Sequence, residues 1–192
     1  MAVPARELLS PEEYLARERS SDEKHEFFGG RLFPMAGASP AHNLIVANLI
    51  RRLGNALQDS PCVAFPSDLR VKVSATGLYT YPDVVVVCGE IQLEGGDTLL
   101  NPTLIVEVLS PGTESYDRGV KFAHYRQAAS LQEYVLVPQG RVLVEQFVRR
   151  GEQWVLTALD GVDATLALSS VPAAIPVAQI YDRVELPPAP GR

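Results

Sequence analysis

The longest regular pattern of apolar and polar positions lies between residues 40 and 57. Apolar side chains recur there every three or four positions, at Val46, Leu49, Ile50 and Leu53. Side chains at this spacing share one face of a helix, so the segment is predicted to be a helix with one apolar stripe. The Asp-Ser-Pro sequence at residues 59–61 is predicted to stop it.

Shorter helices are predicted at three other places. Ser10 and Glu13 form an S-x-x-E capping box with a proline at the first helical position, which predicts a helix over residues 11–17. A second helix is expected from about residue 119 to 129, after a polar loop with the sequence SPGTESYD. A third is expected over residues 176–181.

Strand-like segments fill much of the remaining chain. Gly29 and Gly30 divide the sequence HEFFGGRLFPMA into two short halves, which predicts a hairpin. Residues 83–88 and 104–109 are almost continuously apolar, as in strands buried on both faces. Residues 69–74 alternate between apolar and polar types, which predicts a strand with one wet face. Further strands are predicted at residues 62–65, 133–137, 141–148 and 153–159.

The order of these elements predicts the fold class and the domain organisation. Helix, hairpin, helix, strands, helix and strands follow one another, which indicates an α/β or α+β sheet with helices packed against it and extra C-terminal strands. The chain has 192 residues, 46% of them apolar and 21% charged, which is typical of a folded domain rather than a disordered chain. We expect a single domain over residues 1–192, because no linker divides the sequence.

Composition also limits the cellular location and the binding partners that are expected for the protein. No apolar run reaches the roughly 18 residues of a membrane span. The first residues carry charges where a secretory signal needs an apolar stretch, so a cytoplasmic protein is expected. A net charge of −6 is unlike that of proteins that coat nucleic acid through phosphate contacts. Cys62 and Cys88 lack zinc-site spacing, and Cys88 is interpreted as a small buried apolar residue.

Two acidic side chains stand out because they fall in apolar strands. Glu107 interrupts the sequence LIVEVL, and an unpaired carboxylate buried there would cost several kcal/mol. Asp83 precedes the apolar run VVVV, and the two acids converge if their strands are neighbours. Paired carboxylates favour a divalent cation with oxygen ligands, Mg2+ or Mn2+. The alternatives are that Asp83 is a turn residue and that Glu107 pairs with an arginine.

Other candidate residues come from the predicted helices and the hairpin. Asp117, Lys121 and Tyr125 are spaced four apart and form one helical stripe, in which Lys121 is suited to support an attacking water and Tyr125 to hold a phosphate oxygen. Glu26 and His42 carry oxygen and nitrogen atoms that could contact a metal or a phosphate. The alternative for all five is an ordinary solvated or capping position.

An ordered set of short motifs resembles one known family. The motifs are HEFFGGRLF, SPAHN, SDLRV, YPDVVVV, LIVEVLSPGT, the D-x-x-x-K-x-x-x-Y pattern and EYVLV. Together they are similar to the Uma2 family, also called DUF820, within the PD-(D/E)xK restriction-endonuclease-like superfamily. The resemblance covers about residues 8–150, which makes residues 151–192 a C-terminal extension. It implies a mixed central sheet flanked by helices.

The resemblance also implies an activity and a set of site residues. Asp83 matches the first acid of the superfamily motif, Glu107 matches the second, and Glu26 matches an acid from the N-terminal segment. Position 109, where E-x-K would place lysine, holds Leu109. Lys121 from the following helix is therefore expected to take the place of that lysine.

The leading functional hypothesis is a Mg2+-dependent endonuclease acting on nucleic acid, with DNA as the expected substrate. Glu26, Asp83, Glu107 and Lys121 would be catalytic, and the three acids would hold Mg2+ or Mn2+. His42, Ser110, Tyr125 and Arg70 would bind the substrate. The alternative is a non-catalytic binding or regulatory module with the same fold, and a glycosidase with paired carboxylates is a third candidate. A homodimer is also expected, because the C-terminal strands leave sheet edges to cover.

Overall fold

A mixed six-stranded sheet forms the centre of the protein, in a computed structural model that describes residues 8–187. In spatial order its strands are β12 (Gln153–Asp160), β11 (Leu143–Arg150), β10 (Glu133–Pro138), β9 (Leu104–Leu109), β6 (Val84–Cys88) and β3 (Cys62–Pro66). Strands β9 and β10 are parallel, and the other neighbours are antiparallel. This architecture confirms the predicted fold class. The charged N-terminal start at residues 1–7 and the C-terminal residues 188–192 lie outside the described residues.

A second six-stranded sheet was not predicted from the sequence. Its strands in spatial order are β2 (Arg31–Pro34), β1 (His25–Phe28), β5 (Leu78–Thr80), β4 (Arg70–Val73), β8 (Thr98–Leu99) and β7 (Leu93–Glu94). The hairpin of β1 and β2 is confirmed, and Gly29 and Gly30 both have positive φ, which glycine adopts without steric cost. The predicted wet face of β4 is wrong, because Arg70 is buried and Lys72 is half-buried.

The helices lie close to their predicted positions, with one difference. They are α1 (Pro11–Glu18), α2 (Pro40–Ala56), α3 (Glu114–Tyr116), α4 (Phe122–Tyr125) and α5 (Val177–Ile180). A π turn over Asp117–Lys121 joins α3 to α4. The helical stretch therefore begins at Glu114, inside the segment that was predicted to be a polar loop, and ends at Tyr125. The capping box of Ser10 and Glu13 on α1 is present as predicted.

Helices cover both faces of the central sheet. Ile45, Leu49 and Leu53 of α2 are fully buried against one face, and each contributes roughly 1.5–3 kcal/mol by leaving water. The segment after residue 160 packs on that same face through β13 (Thr165–Ala167), β14 (Ala174–Pro176) and α5. Phe122 and Tyr125 of α4 cover the opposite face. This second face carries the candidate site.

The interpretation of Cys88 as a small buried apolar residue is wrong, because Cys88 is half-buried and disulfide-bonded. Cys62 and Cys88 are paired across β3 and β6 and form a disulfide. The backbone N–H groups of both residues donate to side-chain oxygens, of Ser60 and Thr103, so the two cysteines do not bond to each other through their backbones. Side chains approach more closely at such a position of an antiparallel pair, which brings the two sulfurs together.

No helix within residues 8–187 combines the length and the apolar character that crossing a membrane requires.

Candidate functional site

The register of β6 and β9 brings Asp83 and Glu107 together. Val84 lies opposite Val106 and Val85 opposite Ile105, so the next position pairs Asp83 with Glu107 on the same side of the sheet. The backbone N–H of Asp83 lies 3.4 Å from Glu107 Oε2, and the N–H of Val108 donates to Asp83 Oδ2 at 2.7 Å. The convergence expected from the strand pattern is therefore present.

The ammonium group of Lys121 lies at the centre of a buried cluster of acids. Its Nζ is 3.0 Å from Glu107 Oε1, 3.1 Å from Glu26 Oε1 and 3.6 Å from Asp117 Oδ1. All four side chains are at least nine-tenths buried. Because Lys121 points into the sheet, its position is compatible with the role of the lysine that Leu109 replaces.

Glu26 is held in place by neutral donors as well as by Lys121. Thr80 Oγ1 donates to Glu26 Oε1 at 2.5 Å, and the Tyr116 hydroxyl donates to Oε2 at 3.0 Å. Both oxygens of Glu26 are therefore occupied, and the lysine separates this acid from Asp83. Sequence reasoning missed Thr80 and Tyr116, because a threonine before a Tyr-Pro-Asp turn and a tyrosine in a polar segment give no distinctive pattern.

The π turn and two tyrosines fix the direction of Lys121 and Glu107. Residues four apart are offset by about 40° in an α-helix, and the wider π turn reduces that offset, so Asp117 and Lys121 face the sheet together. The Tyr134 hydroxyl donates to the Asp117 carbonyl at 3.0 Å. The Tyr125 hydroxyl donates to Glu107 Oε1 at 2.8 Å, so Tyr125 orients this acid and, being fully buried, is not placed to hold a phosphate.

Asp83 and Glu107 together form the acid pair, and His42 contacts this pair at Asp83. It lies in the first turn of α2, where its Nε2 is 3.2 Å from Asp83 Oδ2. Its Nδ1 is buried and has no hydrogen-bond partner among the described residues. His42 therefore positions Asp83, while its second ring nitrogen is buried without a hydrogen-bond partner among residues 8–187.

The charges in the cluster are distributed unequally. Burial raises the pKa of Glu107 to about 8, with Asp83 and Asp117 adding to the rise and Lys121 opposing it. Burial opposes the charge on Lys121, but Glu107, Glu26 and Asp117 together raise its pKa well above the usual value. Burial also opposes the charge on Glu26, but Lys121 and the hydrogen bonds from Thr80 and Tyr116 together outweigh it and lower the pKa of that acid. Near neutral pH, Glu107 therefore holds a proton beside a charged lysine.

The donor atoms of this cluster fit a hard cation only in part. Asp83 Oδ1 accepts no hydrogen bond from residues 8–187, and Glu107 Oε2 has only the distant amide of Asp83, so these two oxygens are available ligands. Over the described part of the chain, no three His, Cys, Asp or Glu side chains are grouped to hold one ion. The expected set of Asp83, Glu107 and Glu26 is not assembled, because Lys121 lies between Glu26 and the other two acids.

The remaining predicted substrate-binding residues fall in different places. Arg70 is buried in the second sheet, where it donates to Thr98 and Tyr81 and forms an ion pair with Asp97. The structure does not group it with the acid cluster, and its role as a substrate contact stays a prediction. Ser110 is half-buried three residues after Glu107, and its hydroxyl lies 3.1 Å from that of Thr113.

A comparison with known families decides where this arrangement belongs. The profile of Uma2, described as "Putative restriction endonuclease", matches residues 11–178. The chain belongs to the Uma2 family. The resemblance seen in the sequence motifs is thereby confirmed, and the match extends past residue 150 into the C-terminal strands. It includes every residue of the buried cluster.

Two bacterial relatives are similar to this chain over most of its length. The uncharacterized protein sll1609 of Synechocystis sp. (strain PCC 6803) is 38% identical over 172 residues, which cover 88% of this chain and 97% of that protein. The uncharacterized protein slr1290 of the same organism is 37% identical and covers 90% of this chain and 91% of its own length.

The fold of this Uma2 protein also has a counterpart among crystal structures. A protein from Anabaena variabilis ATCC 29413, described as a "putative nuclease belonging to DUF820", superposes with a TM-score of 0.73 at 17% identity. The superposition covers 88% of this chain and 96% of the other. At this level of identity the likeness establishes the fold alone. This chain thus has the fold of that putative nuclease, and restriction-endonuclease-like proteins as a group use divalent metals.

Proposed function

We propose that this protein is a metal-dependent nuclease that hydrolyses phosphodiester bonds in DNA. The observation that carries the proposal is the pairing of Asp83 with Glu107 across two strands, with the Lys121 ammonium 3.0 Å from Glu107. Two acids and a lysine in one place supply cation binding and charge stabilisation together, which phosphodiester hydrolysis needs. Membership of the Uma2 family supports the same reaction class.

Asp83 Oδ1 and Glu107 Oε2 are the atoms that would hold Mg2+ or Mn2+. Such an ion, when bound, lowers the pKa of a water molecule and offsets charge that develops on the phosphate. Lys121 would donate a hydrogen bond to the attacking water or to a phosphate oxygen, because its amino group reaches the acid pair. Glu26 would act through Lys121, or through a water, rather than as a direct ligand, because both its oxygens are occupied.

His42 and Ser110, which lie next to Asp83 and Glu107, would orient the substrate. His42 keeps Asp83 in place, and Ser110 follows Glu107 at the end of β9. With a net charge of −6, the protein has to bind nucleic acid through local contacts and bound cations rather than through an overall basic surface.

The direct test is DNA cleavage by an acid-pair variant. Purified protein should cleave DNA when Mg2+ or Mn2+ is present, and Asp83→Asn should abolish the cleavage. Asp163→Asn is the matched control, because Asp163 is exposed in a turn remote in sequence from the cluster. Cleavage that persists unchanged in Asp83→Asn, at equal purity, would refute the proposal.

A non-catalytic module is the second candidate, and one observation favours it. Lys121 already satisfies Glu26 and Glu107, so the cluster is stable without a cation and no three-acid site is grouped within residues 8–187. Calorimetric titration with Mn2+ separates the two candidates. Heat of binding that disappears in Asp83→Asn supports the nuclease, and no heat at all supports the module.

The expected location, domain organisation and assembly stay proposals. A cytoplasmic, single-domain homodimer is the hypothesis from the sequence, and β12 and β3 are the edges of the central sheet that a second copy could cover. Light scattering after gel filtration measures the dimer. Disulfides are rare in the reducing cytosol, so the redox state of Cys62 and Cys88 in cells tests the location.

A further inference from the structure

A cavity of about 430 Å3 opens at the carboxyl ends of the parallel strands β9 and β10. Ligands of open α/β sheets bind at this end of parallel strands, and small-molecule sites usually have volumes of about 300–1,000 Å3. Leu109 and Ser110 at the end of β9, and Pro138 and Gln139 at the end of β10, line its floor. The start of α2 and the C-terminal segment near residue 187 complete the wall.

The lining of the cavity includes residues that lie close in sequence to the site residues Glu107 and His42. Ser110 follows Glu107 by three residues, a distance of about 10 Å along an extended chain. On the opposite wall, Ala41 precedes His42, whose ring contacts Asp83. A group bound in the cavity would therefore lie near a phosphate held at Asp83 and Glu107, within reach of the same nucleotide strand.

One hydrogen-bond chain runs from the cavity to the backbone of His42, whose ring contacts Asp83. The Ser39 hydroxyl donates to Gln139 Oε1 at 2.5 Å and accepts the backbone N–H of His42 at 3.1 Å. This chain fixes the amide of Gln139, and its NH2 group donates to nothing among residues 8–187. Gln139 thus presents two oriented donors to the cavity, next to the residue that positions Asp83.

The charged residues that line the cavity favour binding of a nucleic-acid base over binding of a phosphate. Glu114 and Glu185 line the cavity together with a single arginine, Arg141, and Glu114 is already paired with Arg118 at 2.8 Å. Two carboxylates repel a phosphate but accept hydrogen bonds from the exocyclic amino groups of bases. An amide, a hydroxyl, an arginine and three proline rings at positions 111, 138 and 187 offer further polar and apolar contacts to a flat heterocycle.

We propose that this cavity binds the base of an unpaired nucleotide adjacent to the scissile phosphate. The inference rests on the proposed function for the identity of its neighbour, the reacting phosphate. A base inside a paired duplex has to leave the stack before it can enter a cavity, so single-stranded DNA or DNA with an unpaired nucleotide is the preferred substrate. Recognition through a base also lets an acidic protein bind DNA with few phosphate contacts, and therefore with a weak dependence on salt.

The test measures DNA binding by fluorescence anisotropy in EDTA, where no cleavage occurs. The three probes are a short labelled single strand, its fully paired duplex, and a duplex with one unpaired nucleotide. We expect the single strand and the unpaired-nucleotide duplex to bind at least about tenfold more tightly than the paired duplex. Gln139→Ala should weaken their binding about tenfold, and Gln132→Ala, at the other end of β10, should not change it.

A second cavity variant keeps the test valid if Gln139→Ala fails to fold. Ala41→Phe fills the cavity from the start of α2 and should weaken binding of the unpaired probes with little change in the melting temperature. Equal affinity for all three probes, no DNA binding at all, or wild-type binding by both folded cavity variants would overturn the inference. The proposed function can fail without the cavity assignment. Base-dependent binding without Mg2+-dependent cleavage would refute the nuclease and leave the cavity assignment intact. Cleavage that both cavity variants leave unaffected would refute the cavity assignment.

Discussion

Glu107 and Glu133 are two buried carboxylates on the neighbouring parallel strands β9 and β10, yet their surroundings differ completely. Glu133 is fully buried and accepts hydrogen bonds from Gln146 and from the backbone N–H groups of Ser169 and Ser170, with the Ser170 hydroxyl adding another at 2.6 Å. All of these donors are neutral. Glu107, by contrast, contacts the charged Lys121 and faces the carboxylate of Asp83.

The difference shows what separates a structural acid from a candidate catalytic one. Neutral donors that surround Glu133 compensate one negative charge and attach the loop at residues 169–170 to the sheet. Around Glu107, the partners are themselves ionisable, and Oε2 has no strong donor. A proton or a cation can therefore enter or leave at Glu107, whereas a change at Glu133 would leave some of its hydrogen-bond donors without an acceptor.

The largest expected effect is on catalysis by Glu107→Gln. The variant should lose at least about 1,000-fold in DNA cleavage, because an amide cannot bind a divalent ion as a carboxylate does. The fold should survive, since Lys121 remains paired with Glu26 and Asp117. Initial cleavage rates at saturating Mg2+, with circular dichroism as the folding control, measure this. A variant within tenfold of wild type would mean that Glu107 is structural like Glu133.

The second effect is on stability, at Glu133. Glu133→Gln replaces an acceptor oxygen by an NH2 group that faces several donors, so the free energy of unfolding should fall by about 2–4 kcal/mol. Cleavage at a temperature where the variant is folded should stay within a few-fold of wild type. Urea denaturation and the cleavage assay test both parts. Lost activity in a fully folded Glu133→Gln would break the distinction between the two acids.

The third prediction concerns how the stability of the folded protein depends on pH. The pKa of Glu107 is about 8 in the folded protein and near 4.5 in the unfolded chain, so between these values the folded state holds more protons. Stability in EDTA should therefore decrease as pH rises from about 5 to 8, by up to about 1.4 kcal/mol per unit from this group. Urea denaturation across that range should show a smaller slope for Glu107→Gln than for wild type. An equal slope would contradict the assignment.

Periodicity predicted the central sheet and its helices because each of their segments is long enough to repeat a pattern. Strands β7 and β8 have two residues each and carry no period, so the second sheet could not be predicted. The segment from Glu114 has the composition of a loop, and tertiary contacts such as the Tyr134 bond to Asp117 accompany its helical form.

Within the site, the sequence revealed only charges whose burial would be costly. Asp83 and Glu107 were found because carboxylates in apolar strands need an explanation. Thr80 and Tyr116 were missed because polar side chains in polar segments need none. Sequence also did not mark Glu133 as buried, since its neutral partners come from Gln146 and from a loop more than 30 residues away. The Cys62–Cys88 disulfide was missed because it depends on the register of β3 and β6.

The smallest expected effects come from removing one hydroxyl beside each acid. Tyr125→Phe deletes one of the two donors to Glu107 Oε1, the other being Lys121, and Ser170→Ala deletes one donor to Glu133. Each should lower the free energy of unfolding by about 1 kcal/mol, because one hydrogen bond is lost and no cavity larger than a hydroxyl is created.

Only Tyr125→Phe should also change catalysis, because only Tyr125 orients an acid that would contact the metal. We expect kcat to fall about tenfold in Tyr125→Phe with KM little changed, and both constants to stay at wild-type values in Ser170→Ala. Steady-state kinetics at several Mg2+ concentrations measure this. Equal kinetic effects of the two variants would mean that a general loss of rigidity, rather than the orientation of Glu107, connects these hydroxyls to activity.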